Sequence, residues 1–395
     1  MNIALFSDTF PPQINGVAHV VAELAATLAH NGHTVTVVTV VNELKKRWPI
    51  EKQNNYTIIR VPSVPAMVYD GYRFALPSGR LLRYMKKNTP DIIHTHTPFS
   101  VGWEAVQTAK LFHTPLVGTH HTFYDHYLKY VKLNFDWTKK LAWKYVVSYY
   151  NRCTIVTSPS HALASALQEH GLSRPIQVLP NPISPLFFRA TPNRKKKQQL
   201  KKTFGIVDRS IVYMGRVSYE KNINKVIHAF KQVTEIMPNT QLMIIGDGPD
   251  KERLKKLATS LGIQQKIVYT SFLYKQELVD ALQANELFVT ASESENMPLS
   301  VLEAMACGLP VVAVSALGIP EIVQHKKSGL LTKTDDPIKM ADYIIELIKN
   351  PAQLKQFSQA AIEKSTEYTP GRMVASYEEQ YKQLVKKDHE NLLVS

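Results

Sequence analysis

Residues 292–313 read SESENMPLSVLEAMACGLPVVA. The run places two carboxylates, Glu295 and Glu303, around the start of a helix, then passes through Ala-Met-Ala-Cys-Gly-Leu-Pro into an apolar strand. Upstream, GRVSYEKN at 215–222 follows the apolar run Ile211 to Met214 and supplies Arg216 and Lys221. In doubly wound parallel sheets, ligands sit beyond the carboxyl ends of strands, near the N-termini of the following helices. Gly215-Arg216 leaves a strand at such a point. Glycine lets the backbone approach a diphosphate, and the two cations can neutralise charge growing on a leaving group. Two cations after one strand and two carboxylates around a later helix suit a ligand with a diphosphate at one end and hydroxyls at the other, the outline of a nucleotide sugar.

The rest of the chain repeats the same alternation. Short β-branched runs at 3–6, 34–40, 57–61, 91–94, 116–119 and 154–157 are separated by amphipathic stretches at 17–29, 76–87, 101–112 and 137–150, the pattern of a parallel sheet covered by helices. Asn31-Gly32-His33 stops the first helix, glycine being free to turn left-handed. At 183–203 the texture changes to ISPLFFRATPNRKKKQQLKKT, with prolines, a lysine cluster and no sheet signal. The organisation read from this is a first domain at 1–185, a linker at 186–204, a second domain at 205–368 with strands at 211–214, 241–245, 266–269, 287–290 and 310–314, and a terminal helix and tail at 369–395.

Around Glu295 and Glu303 the local chemistry is specific. Pro298 fits the first turn of a helix. Asn296 and Met297 lead into its positive end, where the amides of Leu299 and Ser300 are donors for phosphate or sugar oxygens, proline having no N–H. Glu295 stands just before the helix, placed to accept hydrogen bonds from a sugar. The plain alternative is that Glu295 caps the helix dipole and Glu303 faces solvent. GDGP at 246–249 follows a strand, and its two glycines suit either a close approach to a ligand or a simple turn.

Taken together, the Glu-x7-Glu block and the Gly-Arg…Glu-Lys-Asn run about eighty residues before it resemble the retaining GT-B glycosyltransferases of family 4. The opening FSDTFPPQINGVAHVV and the segment GTHHTFYDHYLKYV are similar to the diacylglycerol glucosyltransferases within it. The resemblance implies an α/β, GT-B fold: two Rossmann-like, doubly wound parallel-sheet domains, an interdomain cleft, and a terminal helix crossing back to the first domain. It implies a UDP-glucose donor held by the second domain, with Glu303 on the ribose hydroxyls, and a lipid acceptor such as 1,2-diacylglycerol held by the first. Retention of anomeric configuration follows, with the diphosphate leaving from the face that the acceptor attacks. The resemblance places Gly16 in the loop over the donor diphosphate and His121 with Thr122 beside the anomeric carbon, a packed histidine at a strand end being the alternative; it sets SFLYKQEL beside the base, with Phe272 and Leu273 equally readable as core. His121 and Glu295 are thus the catalytic candidates. Many relatives have Phe-Gly or a second glycine after the first glutamate, where this chain has Asn296-Met297-Pro298.

No cofactor beyond the nucleotide-sugar donor is expected, and no metal. The histidines 94, 96, 120, 121 and 126 come without a Cys-x-x-Cys pair or a His-Glu-x-x-His helix, and Asp-x-Asp is absent from the whole sequence. The net charge of +14 favours an anionic partner. No nucleic-acid signature accompanies it, so no nucleic-acid partner is expected. Residues 72–88 instead mix Arg73, Arg80, Arg83, Lys86 and Lys87 with aromatic and aliphatic side chains, and 127–152 mix Lys139, Lys140 and Lys144 with Phe135, Trp137 and Trp143. Such stretches suit an anionic membrane surface, although lysines snorkelling from sheet-covering helices would read alike. No apolar run approaches the ~20 residues that cross a bilayer, and Cys153 and Cys307 are the only cysteines. The expected location is therefore the cytoplasm, with peripheral attachment to the inner face of the plasma membrane. Open beside this reading are another acceptor (phosphatidylinositol or a soluble sugar), another donor, a nucleotide-sugar epimerase of similar fold, and a basic nucleic-acid-binding protein.

Overall fold

A computed structural model describes residues 1–13, 15–41, 48–53, 55–65, 73–76, 79–123, 135–206, 209–334 and 336–394. The chain divides into two compact units, one of Met1–Pro182 with Pro370–Ser395, the other of Ile183–Thr369.

The first unit contains β1 (Asn2–Phe6), β2 (Thr34–Val40), β3 (Ile50–Gln53), β4 (Tyr56–Val61), β5 (Ser63–Pro65), β6 (Arg73–Ala75), β7 (Ile92–Thr95), β8 (Leu116–Thr119), β9 (Ile155–Ser158) and β10 (Ile176–Val178). Its main sheet runs β10-β9-β8-β7-β1-β2-β4-β3. Every pairing in it is parallel except β3 with β4, and β5 pairs with β6 in a separate hairpin. Strands buried on both faces read as unbroken β-branched runs, as TVTVVTV does in β2, where only the first residue is exposed. The chain winds one way from β1 to β2 and the other way from β1 to β7. That reversal opens a crevice beyond the carboxyl ends of β1 and β7.

The terminal helix Pro370–Val394 packs in this first unit. Tyr377 and Tyr381 are buried in one cluster with Val21, Leu24 and Leu28 of the helix Gly16–His30. Glu378 accepts from the Asn31 side chain at 2.8 Å and lies 3.1 Å from His33 Nε2. The Tyr381 hydroxyl meets His94 Nδ1 at 2.6 Å, and His94 Nε2 meets Thr119 Oγ1 at 2.6 Å. Thr119 in turn contacts Thr157 and the Tyr377 hydroxyl, at 2.5 and 3.2 Å. Burial holds His94 well below its ordinary pKa, so this chain of hydrogen bonds joins neutral groups.

The second unit has one all-parallel sheet of β11 (Arg209–Met214), β12 (Thr240–Ile245), β13 (Ile267–Thr270), β14 (Leu287–Thr290), β15 (Val311–Val314) and β16 (Gly329–Thr332), in the order β13-β12-β11-β14-β15-β16. Alternate residues serve two apolar layers: Ile211 and Tyr213 face one, Val212 and Met214 the other. Here the winding reverses between β11 and β14.

The lysine-rich stretch at 186–204 is not a linker. Arg194–Thr203 is a helix of the second unit, capped by Asn193 Oδ1 accepting from the Lys196 amide at 2.9 Å. Leu200 is its buried residue, and Lys197 and Lys201 approach Glu286 at 3.3 and 2.7 Å. One leucine and two ion pairs anchor a helix whose composition looks like a solvated connector. The units meet in sequence at Pro182/Ile183 and at Thr369/Pro370.

Removing the Tyr381 hydroxyl strands His94 Nδ1 in the core. Tyr381→Phe is expected to lower stability by about 1–3 kcal/mol, read by urea unfolding; an unchanged midpoint would mean that the helix is held by apolar packing alone.

Candidate active site

Because β11 and β14 are neighbours, the segments that leave their carboxyl ends emerge side by side. This brings Lys221 and Glu295, 74 residues apart in sequence, into an ion pair at 2.6 Å. A second bridge runs beside it. Lys225 Nζ donates to Glu293 at 2.6 Å, and the Asn222 side chain donates to the Ala291 carbonyl at 3.2 Å and to Glu293 at 3.3 Å. Asn222 holds a left-handed conformation (φ +51°), which asparagine tolerates better than most residues. Arg216 is exposed. The buried Tyr213 hydroxyl donates to its carbonyl at 3.1 Å and braces the loop; burial, with Glu295 and Glu220 nearby, raises the Tyr213 pKa well above 10.

The two glycines of GDGP lie against this loop. A side chain at Gly246 would strike the Gly215 carbonyl, and one at Gly248 the Val217 carbonyl. Val217 N–H donates to the Asp247 carbonyl at 2.9 Å. These glycines therefore let two backbone segments of the same unit pack together.

Pro298 is the N-cap of the helix Leu299–Ala306 and not part of its first turn, a shift of one position. Leu299 and Ser300 thus become the first two helical residues, whose amides the helix's own ladder leaves unused. Glu295 is fixed from behind as well, its carbonyl accepting from Gly318 N–H at 3.1 Å. Any side chain at Gly318 would collide with the carbonyl of Asn296, which is itself buried. Met297 is partly buried and packs on the apolar layer beneath the helix. Glu303 is half-buried instead of turned to solvent. Its surroundings withhold water from the carboxyl and push its pKa up to about 8, so at neutral pH it is largely protonated and can both donate and accept.

In the first unit the crevice beyond β1 and β7 is organised by Asp8, which is 1% exposed. Its carboxylate accepts from Thr97 Oγ1 and Ser100 Oγ, each at 2.6 Å, and from Val101 N–H at 2.9 Å, at the N-terminus of the helix Ser100–Phe112. Burial raises its pKa while those donors oppose the shift. Gly102 is required there, since a side chain would meet the Thr97 carbonyl and the Tyr149 hydroxyl. His121 lies just past β8. Its Nε2 is 3.2 Å from His96 Nδ1, and burial lowers its pKa to about 3, so the ring is neutral. Gly16 is the exposed first residue of its helix, capped by Asn15, whose Oδ1 accepts from Ala18 N–H at 2.9 Å. Among the described residues no group of three or more metal-binding side chains is arranged to hold an ion.

Comparisons with known proteins identify the family. The family described as Glycosyl transferases group 1 matches residues 195–364, and Glycosyltransferase Family 4 matches 14–185. The alpha-monoglucosyldiacylglycerol synthase of Streptococcus pneumoniae is 30% identical over 335 residues, covering 84% of this chain and 75% of that protein. The chain belongs to the family 4 glycosyltransferases. The protein of the same description from Acholeplasma laidlawii is 28% identical over 99% of both chains. The solved structure of Anabaena HepE in complex with UDP, 18% identical, matches with a TM-score of 0.78 over 97% of this chain and 100% of that one, an agreement of GT-B fold.

On the surface of this glycosyltransferase the basic stretches divide. In the helix Gly79–Lys87, Leu81 and Met85 are buried, while Arg80, Arg83, Lys86 and Lys87 are exposed. Arg73 is tied back, donating to the Ser63 hydroxyl and carbonyl at 2.8 Å. In the helix Asp136–Tyr150, Trp143, Tyr149 and Tyr150 are buried, so these aromatics serve the core. Phe135, Trp137 and Leu141 are exposed beside Lys140 and Lys144, with Lys139 3.9 Å from Asp136. His126 and residues 127–134 lie outside the described residues. Phe272 is exposed and Leu273 packs on the apolar layer.

The Glu303 shift has a definite sign. Its carboxyl titrates near 4.5 when unfolded and near 8 when folded. Between those values folding takes up a proton, so stability falls as pH rises, and above about 8 the folded chain bears the full cost of the desolvated charge. Glu303→Gln should remove that slope, a few kcal/mol at most, in urea titrations at about pH 5 and pH 9; parallel curves for the two proteins would place Glu303 in a solvated setting.

Proposed function

We propose that this glycosyltransferase moves glucose from UDP-glucose to a membrane lipid, 1,2-diacylglycerol being the leading acceptor, with retention of configuration to give an α-glucosyl lipid. The observation that carries the reading is the meeting of the Arg216–Lys221 loop and the Glu295–Glu303 helix where the second sheet reverses its winding. In this scheme Arg216 and Lys221 neutralise the diphosphate. The amides of Leu299 and Ser300 add donors at the helix N-terminus. Glu295 contacts the sugar hydroxyls and Glu303 the ribose, and Gly16 belongs to the loop assigned to the diphosphate.

Lys221 starts out bound to Glu295, so the donor phosphate competes with that carboxylate for the ammonium. A charge-assisted hydrogen bond formed in this way contributes about 1.5–3 kcal/mol. The anomeric carbon then loses its bond to the phosphate oxygen and forms one to the acceptor hydroxyl on the same face, and the acceptor proton passes to the departing phosphate. His121, neutral at physiological pH, positions the sugar and acceptor hydroxyls by hydrogen bonding and carries no charge to the step.

Support for a lipid acceptor comes from the relatives named above and from the exposed cations Arg80, Arg83, Lys86, Lys87, Lys140 and Lys144. Such a surface suits reversible attachment to an anionic leaflet, each cation contributing about 1 kcal/mol. No helix among the described residues is long and apolar enough to cross a membrane.

A radiolabelled transfer assay with several nucleotide sugars and diacylglycerol in liposomes tests the reading. UDP-glucose is expected to label the lipid, faster when the vesicles contain anionic lipid, and to do so in excess EDTA. Arg216→Ala with Lys221→Ala should cut the rate by at least about a hundredfold. Absence of label in diacylglycerol, or a strict need for added Mg²⁺, would contradict the proposal.

A further inference from the structure

We propose that His96 is a positioning residue for glycosyl transfer, holding the ring of His121 and fixing which of its nitrogens bears the proton. This rests on the reading of His121 as a group at the reacting centre. β7 and β8 are neighbours with Thr95 level with Gly118, so the residues just past their carboxyl ends face one another. His96 Nδ1 and His121 Nε2 are 3.2 Å apart, with the rings inclined by only 22°. Burial holds both rings neutral at physiological pH, so the contact is a hydrogen bond with a single proton and transmits a choice of tautomer.

His96 Nε2 is buried and has no hydrogen-bond partner among the described residues, so the contact with His121 is the one hydrogen bond that orients the His96 ring. The arrangement is stiff. The His94 ring lies 4.0 Å from that of His96, itself held by Tyr381 and Thr119. Beyond His96, Asp8 fixes the segment from Thr97 to Val101.

Two substitutions separate this role from mere packing. His96→Phe keeps a flat ring without a hydrogen-bonding group, whereas His96→Asn restores one near the Nδ1 position. With ¹⁵N-labelled histidine in the full chain, the His121 ring signals, assigned by their loss in His121→Asn, should report a single tautomer in the wild type. They should shift toward the other tautomer in His96→Phe and return in His96→Asn. In the transfer assay, His96→Phe should lower kcat about tenfold or more with the donor KM within about twofold, and His96→Asn should recover most of it. A mixture of His121 tautomers in the wild type, an unchanged tautomer or kcat in His96→Phe, or a loss that tracks thermal stability without rescue by His96→Asn would each overturn the proposal. An active His121→Phe enzyme would instead remove the reading of His121, and an inactive one beside a fully active His96→Phe would remove this inference alone.

Discussion

The ion pair between Lys221 and Glu295 depends on a single topological fact, the adjacency of β11 and β14 in a sheet whose winding reverses between them. Parallel strands deliver their following segments to the same edge, and a reversal sends the covering helices to opposite faces, leaving room between them. Everything assigned to the donor site hangs on that edge. Tyr213 braces one loop from inside the sheet, Asn222 and Lys225 tie it to the next through Glu293, and Gly318 fixes Glu295 from the third. The cationic and acidic blocks are held in register before any ligand arrives, which reduces the ordering that binding must supply.

The first sheet solves the same problem with different chemistry. Its reversal point is filled by a buried carboxylate, Asp8, whose desolvation is offset by donors from one helix N-terminus. Around it the histidines are neutral: His94, His96 and His121 are all pushed far from protonation by burial. The terminal helix contributes Tyr377 and Tyr381 to this layer, so residues from the far end of the chain complete the core on which the histidines rest. The proposed donor subsite, built of charges, and the histidine cluster, built of neutral rings, differ in sensitivity. The first responds to ionic strength, the second to the loss of single hydrogen bonds.

Much of this was legible in the sequence, because β-branched runs buried on both faces and amphipathic helices leave strong periodic signals. Arg216, Lys221, Glu295 and Glu303 stood out through the spacing of two motif blocks, and the fold brings Lys221 of one block to Glu295 of the other. The linker reading at 186–204 failed because a lysine-dense helix held by Leu200 and two ion pairs to Glu286 has almost no apolar period. Asp8, Tyr213 and Gly318 were passed over, and His96 was weighed only as a metal ligand, for another reason: what they touch across the fold is not encoded by spacing along the chain. Only Asn222 and Gly318 carried a hint, a left-handed conformer and a close approach that asparagine and glycine permit. The aromatics at 143–150 misled by composition, since Trp143, Tyr149 and Tyr150 serve the sheet while Trp137 and Leu141 on the same helix are exposed.

The central claim is that Lys221 and Glu295 form one coupled element to which the donor diphosphate binds. A double-mutant cycle on UDP affinity, by calorimetry with Lys221→Met, Glu295→Gln and the pair, tests it most directly. The account predicts that Lys221→Met weakens UDP about tenfold or more, that Glu295→Gln alone strengthens it by releasing the ammonium, and that this improvement disappears in the double variant. Additive effects, or UDP affinity indifferent to Lys221, would contradict it.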